Sequence, residues 1–136
     1  MMDHAPPDEA SRAAIAGNVA LVEDRLLPDA GIDPGDWAGA VTYLDGFIEG
    51  QRVRADAPDH GRLSDVLGAY FGHALIGAHG GRWIRDDSGI GVEVGGVIAY
   101  PFHKVAKQFE HGAEESIEAM FRSLPVLVKE HRDGRG

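Results

Sequence analysis

Four polar side chains of the types used in acid–base catalysis lie close together where a predicted strand gives way to a predicted helix. They are Tyr100, His103, Lys104 and Lys107. Pro101 keeps the residue before it extended and favours a helix start, so all four would lie around the first two turns of that helix. Such groups act as general acids and bases when their surroundings shift their pKa values. The pattern therefore permits an enzyme whose site matches no known motif, although histidine and lysine at a helix start are more often simply solvated.

The other residues of catalytic or ligand-binding type form no recognisable constellation. The seven histidines are scattered, and His73 and His79 are six apart, whereas two ligands on one helix face need a spacing of three or four. Without cysteine the chain has no disulfide, no thiolate metal site and no cysteine nucleophile. The glycines of residues 89–96 alternate with valine and isoleucine, which predicts a hairpin, because a phosphate-binding loop needs a helix after its glycines. We therefore expect no metal and no cofactor.

The balance of charge excludes some classes of partner. The 13 basic and 22 acidic residues give a formal net charge of −9, and such a surface repels nucleic acid. No apolar run approaches the roughly 20 residues that span a bilayer, and residues 1–9 lack the basic and apolar parts of a secretory signal. Together with the absence of cysteine, these features predict a cytoplasmic protein, monomeric or homodimeric, that binds neither nucleic acid nor membranes.

Hydrophobic periodicity predicts a single α+β domain over residues 1–136. Apolar residues three and four apart give three N-terminal helices, alternation gives a three-stranded antiparallel meander, and two or three helices follow. The first three helices are predicted at 8–27, from 34 to a loop at 54–58, and at 59–78. The strands are predicted at 82–86, 90–94 and 97–100. The last helices are predicted at 101–112 and from 114 onward. The segments at 1–7 and 132–136 are expected to be frayed.

Single residues mark where these helices should begin and end. Pro28 and Gly31 would end the first helix. Asp33 and Asp59 would cap the second and third helices at their N-termini. Pro125 would break or kink the last helical segment, because proline lacks the N–H that a helix interior needs.

Small and apolar residues within the helices predict how they pack. Gly68 and Gly72 lie one turn apart in the third helix, and residues without a Cβ atom would let a neighbouring helix approach closely. The inward face of the helix after the strands would consist of Phe102, Val105, Ala106 and Phe109.

The turns of the predicted sheet decide which residues share a face. Residues 95–96 are both glycine and predict a two-residue hairpin with positive φ at both positions, which pairs Val92 with Ala99. A three-residue loop at 87–89 would then oppose Ile84 to Val92. One face would carry the core residues Ile84, Val92, Val94, Val97 and Ala99. The opposite face would carry Trp83, Arg85, Glu93, Ile98 and Tyr100.

The second set of residues, here called the predicted patch, has the composition of a protein-recognition surface. Aromatic residues and an arginine surround one acid, as they do at many interface centres. The ring of Tyr100 could also cover Gly91 on the neighbouring strand. In the alternative arrangement a C-terminal helix covers this face, and the same residues then belong to the core.

The second half of the chain contains the runs LGAYFGHAL at 67–75, GGRW at 80–83, GVEV at 91–94 and YPFHKVAK at 100–107, followed by an acidic run into Ser116. With these runs, residues 67–125 resemble a bacterial family known as a domain of unknown function. The resemblance covers a little under half of the chain and leaves out the first two predicted helices. It implies a small cytoplasmic protein, in some members linked to toxin–immunity or antitoxin systems, and it implies no catalytic residue.

These observations predict a protein-interaction module, of the kind that an immunity or antitoxin-like protein would be, which binds a basic protein partner through the predicted patch. Negative charge and the lack of a recognisable chemical site favour this function. The enzyme with a site around Tyr100 is the alternative. A pocket with shifted pKa values near His103 would favour the enzyme.

Overall fold

The structure, a computed structural model, describes residues 4–54 and 60–135 and has an α+β architecture. The elements in chain order are α1 (Glu9–Leu21), a π-helical turn (Val22–Leu26), the short α2 (Leu27–Asp29), α3 (Trp37–Arg52), α4 (His60–His79), β1 (Arg82–Asp86), β2 (Gly89–Val94), β3 (Val97–Ala99), α5 (Pro101–His111), a 3₁₀ turn (Gly112–Glu115) and α6 (Ile117–Arg135). The strands form one antiparallel sheet in the order β1-β2-β3. The predicted class and the meander are therefore confirmed.

Helix α4 lies at the centre of the molecule and contacts α1, α3, α5 and the sheet. Most of its middle two turns is buried, including Leu67, Tyr70, Phe71 and Leu75, all without exposed surface. A helix that is buried on several sides must be apolar around most of its circumference, and residues 66–72 of α4 carry no charge. The core thus forms between α4 and the elements around it.

Gly68 and Gly72 of α4 allow this close packing, as predicted. A Cβ atom added at Gly68 would lie 2.9 Å from the Cα atom of Phe102 in α5. At Gly72 an added Cβ would meet the side chains of Trp83 and Pro101. Helix α5 and strand β1 therefore rest directly on the backbone of α4.

The first helix continues past the residue that was expected to end it. Asp8 caps α1, its carboxylate accepting a hydrogen bond from the Ser11 N–H at 2.8 Å. Pro28 does not end the helical path, because the preceding turn loosens to a π-helix in which the Leu27 N–H bonds the carbonyl of Val22. A proline at position i removes the bond to the carbonyl of residue i−4. The helical path then ends near Gly31, which adopts a φ of 71°.

Helix α3 begins later than its sequence predicted. Asp33 does not cap it but accepts a hydrogen bond from the Gly35 N–H in a turn. Asp36 is the N-cap, with its carboxylate 3.0 Å from the Gly39 N–H. Two aspartates three residues apart both fit a helix start, and only the path of the backbone decides between them. The predicted loop at 54–58 and the predicted cap Asp59 lie, except for residue 54, outside the described residues.

The register of β1 differs from the prediction by one residue, and this reverses its faces. Residues 87–88 form a two-residue turn, so that Asp86 pairs with Gly89. Trp83 is therefore opposite Val92, and Ile84 is opposite Gly91. A shift of one residue moves every side chain of a strand to the other face. The pairing of Val92 with Ala99 and the positive φ values of 56° and 87° in the second hairpin match the prediction.

Both ends of the described chain form backbone hydrogen bonds in segments where fraying was predicted. Ala5 and Arg85 exchange backbone hydrogen bonds of 3.1 and 2.6 Å, so residues 4–7 run along the outer edge of β1. At the other end α6 continues to Arg135. Residues 1–3 and 136, also expected to be frayed, lie outside the described residues.

Pro125 lies inside α6 without ending it. The carbonyl that this proline leaves without a helical donor belongs to Phe121. The Nε2 atom of His79 lies 3.0 Å from that carbonyl oxygen and can donate to it, and the two side chains also pack with ring centres 4.8 Å apart. The end of α4 thus replaces the bond that the proline removes.

The prediction of the inward face of α5 is wrong for one residue, Ala106. Ala106 is exposed, whereas Gln108, which was not predicted to face inward, is as fully buried as Val105. Its amide group donates to Asp45 and Glu49 of α3 at 3.1 and 2.9 Å and accepts from the Ile117 N–H at 2.8 Å. A buried amide is tolerated because these partners satisfy it, and it ties α3 and α5 to the start of α6.

Candidate functional site

A cleft of about 350 Å³ runs along α1 and has the half-buried side chain of Trp83 in its wall. We call it the Trp83 cleft. Its lining residues are Arg12, Ile15, Ala16, Val19, Ala20, Glu23, His73 and Trp83. Its volume and apolar lining with a few polar groups are typical of ligand-binding clefts.

Helix α1 forms the long wall of the cleft because of its pattern of large and small residues. Ile15 and Val19 turn inward and are 8% and 7% exposed. Ala16 and Ala20 lie beside them on the exposed side. Side chains three and four apart share a helix face, and alanines on that face leave space that larger residues would fill. The cleft therefore follows from the small residues beside the buried stripe.

Trp83 is held firmly at its position. Its ring stacks on Phe102 of α5 with centres 5.9 Å apart and planes at 30°. It also packs against Gly72 of α4, where a side chain would clash with it. A large ring that is fixed by packing and still borders a cleft presents apolar surface at little conformational cost.

One end of the cleft is acidic. The Glu23 carboxylate lies 3.6 Å from Nε2 of His73, and both side chains are about one third exposed. Glu23 belongs to the π-helical turn that precedes Pro28, and such turns often occur at functional sites.

A second carboxylate, that of Asp36, acts on the same tyrosine as Glu23. Burial, and after it the negative charges of Glu23 and Asp36, raise the pKa of Tyr70 to about 12. The Tyr70 hydroxyl donates to the carbonyl of Pro34 at 3.2 Å. The rings of Trp37 and Tyr70 flank His73 with centres 5.3 and 5.8 Å away. Aromatic rings thus pack around His73 at the end of the cleft that Glu23 makes acidic.

Arg12 lines the opposite end of the cleft. It stands eleven residues before Glu23 on the same helical path, which corresponds to about 16 Å at the α-helical rise. The cleft is therefore apolar along its length, with a positive residue at one end and negative residues at the other.

The structure divides the predicted patch between the two faces of the sheet. Trp83 and Arg85 share the face of Val92, which the helices cover, because of the one-residue shift in register. Arg85 is exposed at the edge and lies 3.6 Å from the carboxylate of Asp8. The five residues therefore do not share one face as predicted, because β1 is shifted by one residue relative to β2, and helices α4 and α5 pack against Trp83.

The other three residues of the predicted patch remain together on the opposite face. They are Glu93, Ile98 and Tyr100. Glu93 is paired with Arg82 at 2.9 Å and lies 3.6 Å from His4. Tyr100 lies over Gly91, as predicted, with its ring 3.2 Å from where a Cβ of Gly91 would be. Ile84, expected in the core, is fully buried, but on this face and not beside Val92.

The four residues of the predicted enzyme site line a second pocket, of about 210 Å³. We call it the Tyr100 pocket. Its lining residues are Ile98, Ala99, Tyr100, His103, Lys104, Lys107, Glu115 and Met120. The sequence thus predicted correctly that Tyr100, His103, Lys104 and Lys107 come together, because a helix start at Pro101 sets their spacing.

The strongest polar groups of the Tyr100 pocket are already engaged. The Tyr100 hydroxyl donates to Asp86 at 2.7 Å, and this bond raises the pKa of Tyr100 and lowers the pKa of Asp86. The Lys104 ammonium donates to Glu115 at 2.8 Å and lowers the pKa of that carboxyl. A general base or acid near neutral pH needs shifts in the opposite directions. These two bonds therefore stabilise the structure around the pocket, and they do not shift the pKa values in the direction that acid–base catalysis needs.

The described part of the chain offers no other chemical site of the kinds considered. In residues 4–54 and 60–135, no three or more histidine, cysteine, aspartate or glutamate side chains are grouped so that they could hold a metal ion. Within the same ranges, no helix has the length and apolar character needed to cross a membrane. Comparison with models of protein families, with characterised proteins and with solved structures finds no match.

Sequence reasoning missed most of the Trp83 cleft. The buried stripe of Ile15 and Val19 on α1 was predicted, but the role of the alanines beside it was not. The available signal was the set of alanines and glycine at 13, 14, 16, 17 and 20 next to that stripe. Glu23 and His73 could not be paired from sequence, because they are 50 positions apart and meet only when α1 packs on α4.

Proposed function

We propose that this protein is a binding module that takes part of a basic protein partner into the Trp83 cleft. The observation that carries the proposal is the half-buried Trp83 in the wall of an apolar cleft whose one end is acidic. Aromatic anchors in concave apolar surfaces dominate the binding energy of many protein interfaces. If the partner is a toxin, the protein acts as an immunity protein or an antitoxin.

The charge around the acidic end supports a basic partner. Residues 23–36, which continue from α1 past the cleft, contain five carboxylates and one arginine. Asp24, Asp29, Asp33 and Asp36 are exposed, and Glu23 is half-buried. A concentrated field of one sign accelerates association with a partner of the opposite sign, and salt reduces that acceleration.

The experiment is capture of the partner from the source organism with three forms of the protein. Ala16→Phe fills the cleft from an exposed position of α1. Ala13→Phe adds the same side chain to another exposed position of the helix that does not line the cleft. We expect the wild type and Ala13→Phe to retain the same protein, Ala16→Phe to lose it, and rising salt to slow its association.

Two results would contradict the proposal. If Ala16→Phe retains the partner as well as Ala13→Phe does, the cleft is not the docking site. If the retained partner is acidic and associates at a rate independent of salt, the charge argument fails. Equal melting temperatures of the two variants would show that a loss of binding does not come from unfolding.

The enzyme alternative is supported less well. It rests on the convergence of Tyr100, His103, Lys104 and Lys107 around one pocket of about 210 Å³. Against it, Tyr100 and Lys104 already bond to carboxylates, which leaves the exposed His103 and Lys107 as the side chains that face solvent. Exposed groups of this kind are rarely catalytic without a partner that orients them.

A further inference from the structure

We propose that the Trp83 cleft takes the side chain of an arginine or lysine of the partner, with its methylene stem along Val19, Ala20 and Trp83 and its cationic group at Glu23. This inference rests on the proposed function and names the feature of the partner that the cleft recognises.

The apolar part of the cleft suits the stem of a long basic side chain. Val19 and Ala20 lie about one helical turn before Glu23, which is roughly 5 Å along the helix axis. The methylene groups of arginine and lysine bury themselves on apolar surface while their charged heads remain near water. Trp83 lines the same cleft and adds a large apolar ring. An acidic or short polar side chain would gain nothing from this surface.

The carboxylate at the end of the stretch suits the cationic head. Glu23 is about one third exposed, so a partner can reach it, and its present contact with His73 is 3.6 Å long. That separation exceeds a hydrogen-bonding distance, so oxygen atoms of Glu23 remain able to accept strong bonds. A guanidinium group would make two parallel bonds to such a carboxylate.

The surroundings of Glu23 make a cation more favourable there than at an ordinary surface carboxylate. Asp36 is an exposed carboxylate that directly precedes Trp37, and its negative charge acts together with that of Glu23 in raising the pKa of Tyr70. The ring of Trp37 is next to His73 at 5.3 Å, and aromatic rings attract cations. Arg12 lies at the far end, about 16 Å away along the helix, and repels a cation there. The cleft therefore has a direction, with the cationic head of its ligand at the Glu23 end.

The test uses small probes and protein labelled with 5-fluorotryptophan, in which fluorine resonances report on Trp37 and Trp83 separately. The Trp37→Phe variant assigns the two signals. The probes are butylguanidinium and butylammonium as cations, butylurea as a neutral molecule of nearly the same shape, and pentanoate as an anion. We expect saturable shifts of the Trp83 signal in the millimolar range, with the cations bound about tenfold more tightly than butylurea, as a charge-assisted bond would give.

Two variants show whether Glu23 causes the preference. Glu23→Gln should reduce the preference for cations over butylurea to about twofold or less, since only a neutral acceptor remains. Arg12→Gln, at the other end of the cleft, should leave the preference unchanged or increase it slightly. Ala16→Phe should abolish the shifts caused by every probe. Comparing butylguanidinium with butylammonium separates arginine from lysine as the source of the cation.

Three results would overturn this inference, and the capture experiment separates its failure from a failure of the proposed function. It falls if butylurea or pentanoate binds as tightly as the cations, if the preference survives Glu23→Gln, or if no probe shifts the Trp83 signal saturably. If Ala16→Phe nevertheless abolishes capture of the partner, the cleft is still the docking site, but it binds a different chemical group of the partner. If capture is unaffected while the cations bind as expected, the proposed function falls and the cleft binds small cations only.

Discussion

The Trp83 cleft and the Tyr100 pocket border opposite faces of the same small sheet, and they differ in how far their polar groups are engaged. In the Tyr100 pocket the hydroxyl of Tyr100 and the ammonium of Lys104 each bond to a carboxylate at 2.7 and 2.8 Å. In the Trp83 cleft the nearest pair, Glu23 and His73, is 3.6 Å apart, and the remaining lining is mostly apolar. Whether a residue is available for binding or catalysis therefore depends on the groups it already bonds, and not on its chemical type alone.

The comparison also separates two causes of exposure. Trp83 borders solvent because small residues on α1 leave a cleft beside it. His103 and Lys107 border solvent because the start of α5 lies at the surface. The first kind of exposure leaves apolar surface in contact with water, which binding removes. The second leaves charged groups in their preferred environment.

The largest expected effect concerns how firmly Trp83 belongs to the core. Trp83→Ala removes the packing on Phe102 and Gly72, and we expect the free energy of unfolding to fall by about 3 kcal/mol. Arg85→Ala, on the same face but exposed, should change it by less than about 0.5 kcal/mol. Urea denaturation measures both. A loss below about 1 kcal/mol for Trp83→Ala would mean that its ring lies free on the surface.

The next effect tests the close approach that places Phe102 behind Trp83. Gly68→Ala puts a Cβ atom 2.9 Å from the Cα atom of Phe102, and forcing the two helices apart should cost about 2 kcal/mol. Gly46→Ala in α3 is the matched control, because an added Cβ there meets nothing within 4 Å. Since alanine is the better helix former, this control should stabilise the protein by up to about 1 kcal/mol. Equal effects of the two substitutions in thermal unfolding would contradict the packing.

A smaller effect concerns α6, which supplies Met120 to the Tyr100 pocket. His79→Ala leaves the carbonyl of Phe121 without its side-chain donor, and we expect a loss of about 1 to 2 kcal/mol. Pro125→Ala restores a backbone N–H to that carbonyl, so His79→Ala should cost less in the Pro125→Ala background. A double-mutant cycle in urea measures this difference. If the two substitutions are additive, the histidine does not replace the missing helical bond.

The smallest expected effect concerns the Tyr100 pocket itself and its dependence on pH. The hydrogen bond from Tyr100 lowers the pKa of Asp86, so its stabilisation is complete above the ordinary value of about 3.9 and is lost as the pH falls through the folded value. The pKa of Tyr100 is raised, so its contribution is complete below about pH 10 and is lost as the pH rises through the folded value.

Tyr100→Phe should therefore raise the pKa of Asp86 toward its ordinary value, which carboxyl ¹³C NMR titration measures directly. Lys104→Met is the control, because it breaks a different bond of the same pocket and should affect Glu115 instead of Asp86. An unchanged titration of Asp86 in Tyr100→Phe would show that the two groups are not bonded, and the Tyr100 pocket would regain a hydroxyl able to act in catalysis.

Local pattern predicted most of the elements and one of the two pockets. The convergence of Tyr100, His103, Lys104 and Lys107 follows from the helix start at Pro101, and the structure confirms it. The faces of the sheet could not be predicted equally well, because the choice between a two-residue and a three-residue turn at 87–89 moves Trp83 across the sheet. The sequence Asp-Ser-Gly favours a three-residue loop that ends in glycine, so the local signal indicated the register that the structure does not adopt.

The sequence by itself determined the α+β class, the meander and the approximate bounds of α4 and α5, because hydrophobic period, caps and turn residues act over a few neighbours. The tertiary structure decided which side chains contact one another across different elements. It placed His79 at the carbonyl that Pro125 leaves open, buried Gln108 among three partners, and brought Glu23 to His73 across the Trp83 cleft. These contacts join residues that are distant along the chain, and their free energy is gained only when whole elements pack, which no local pattern records.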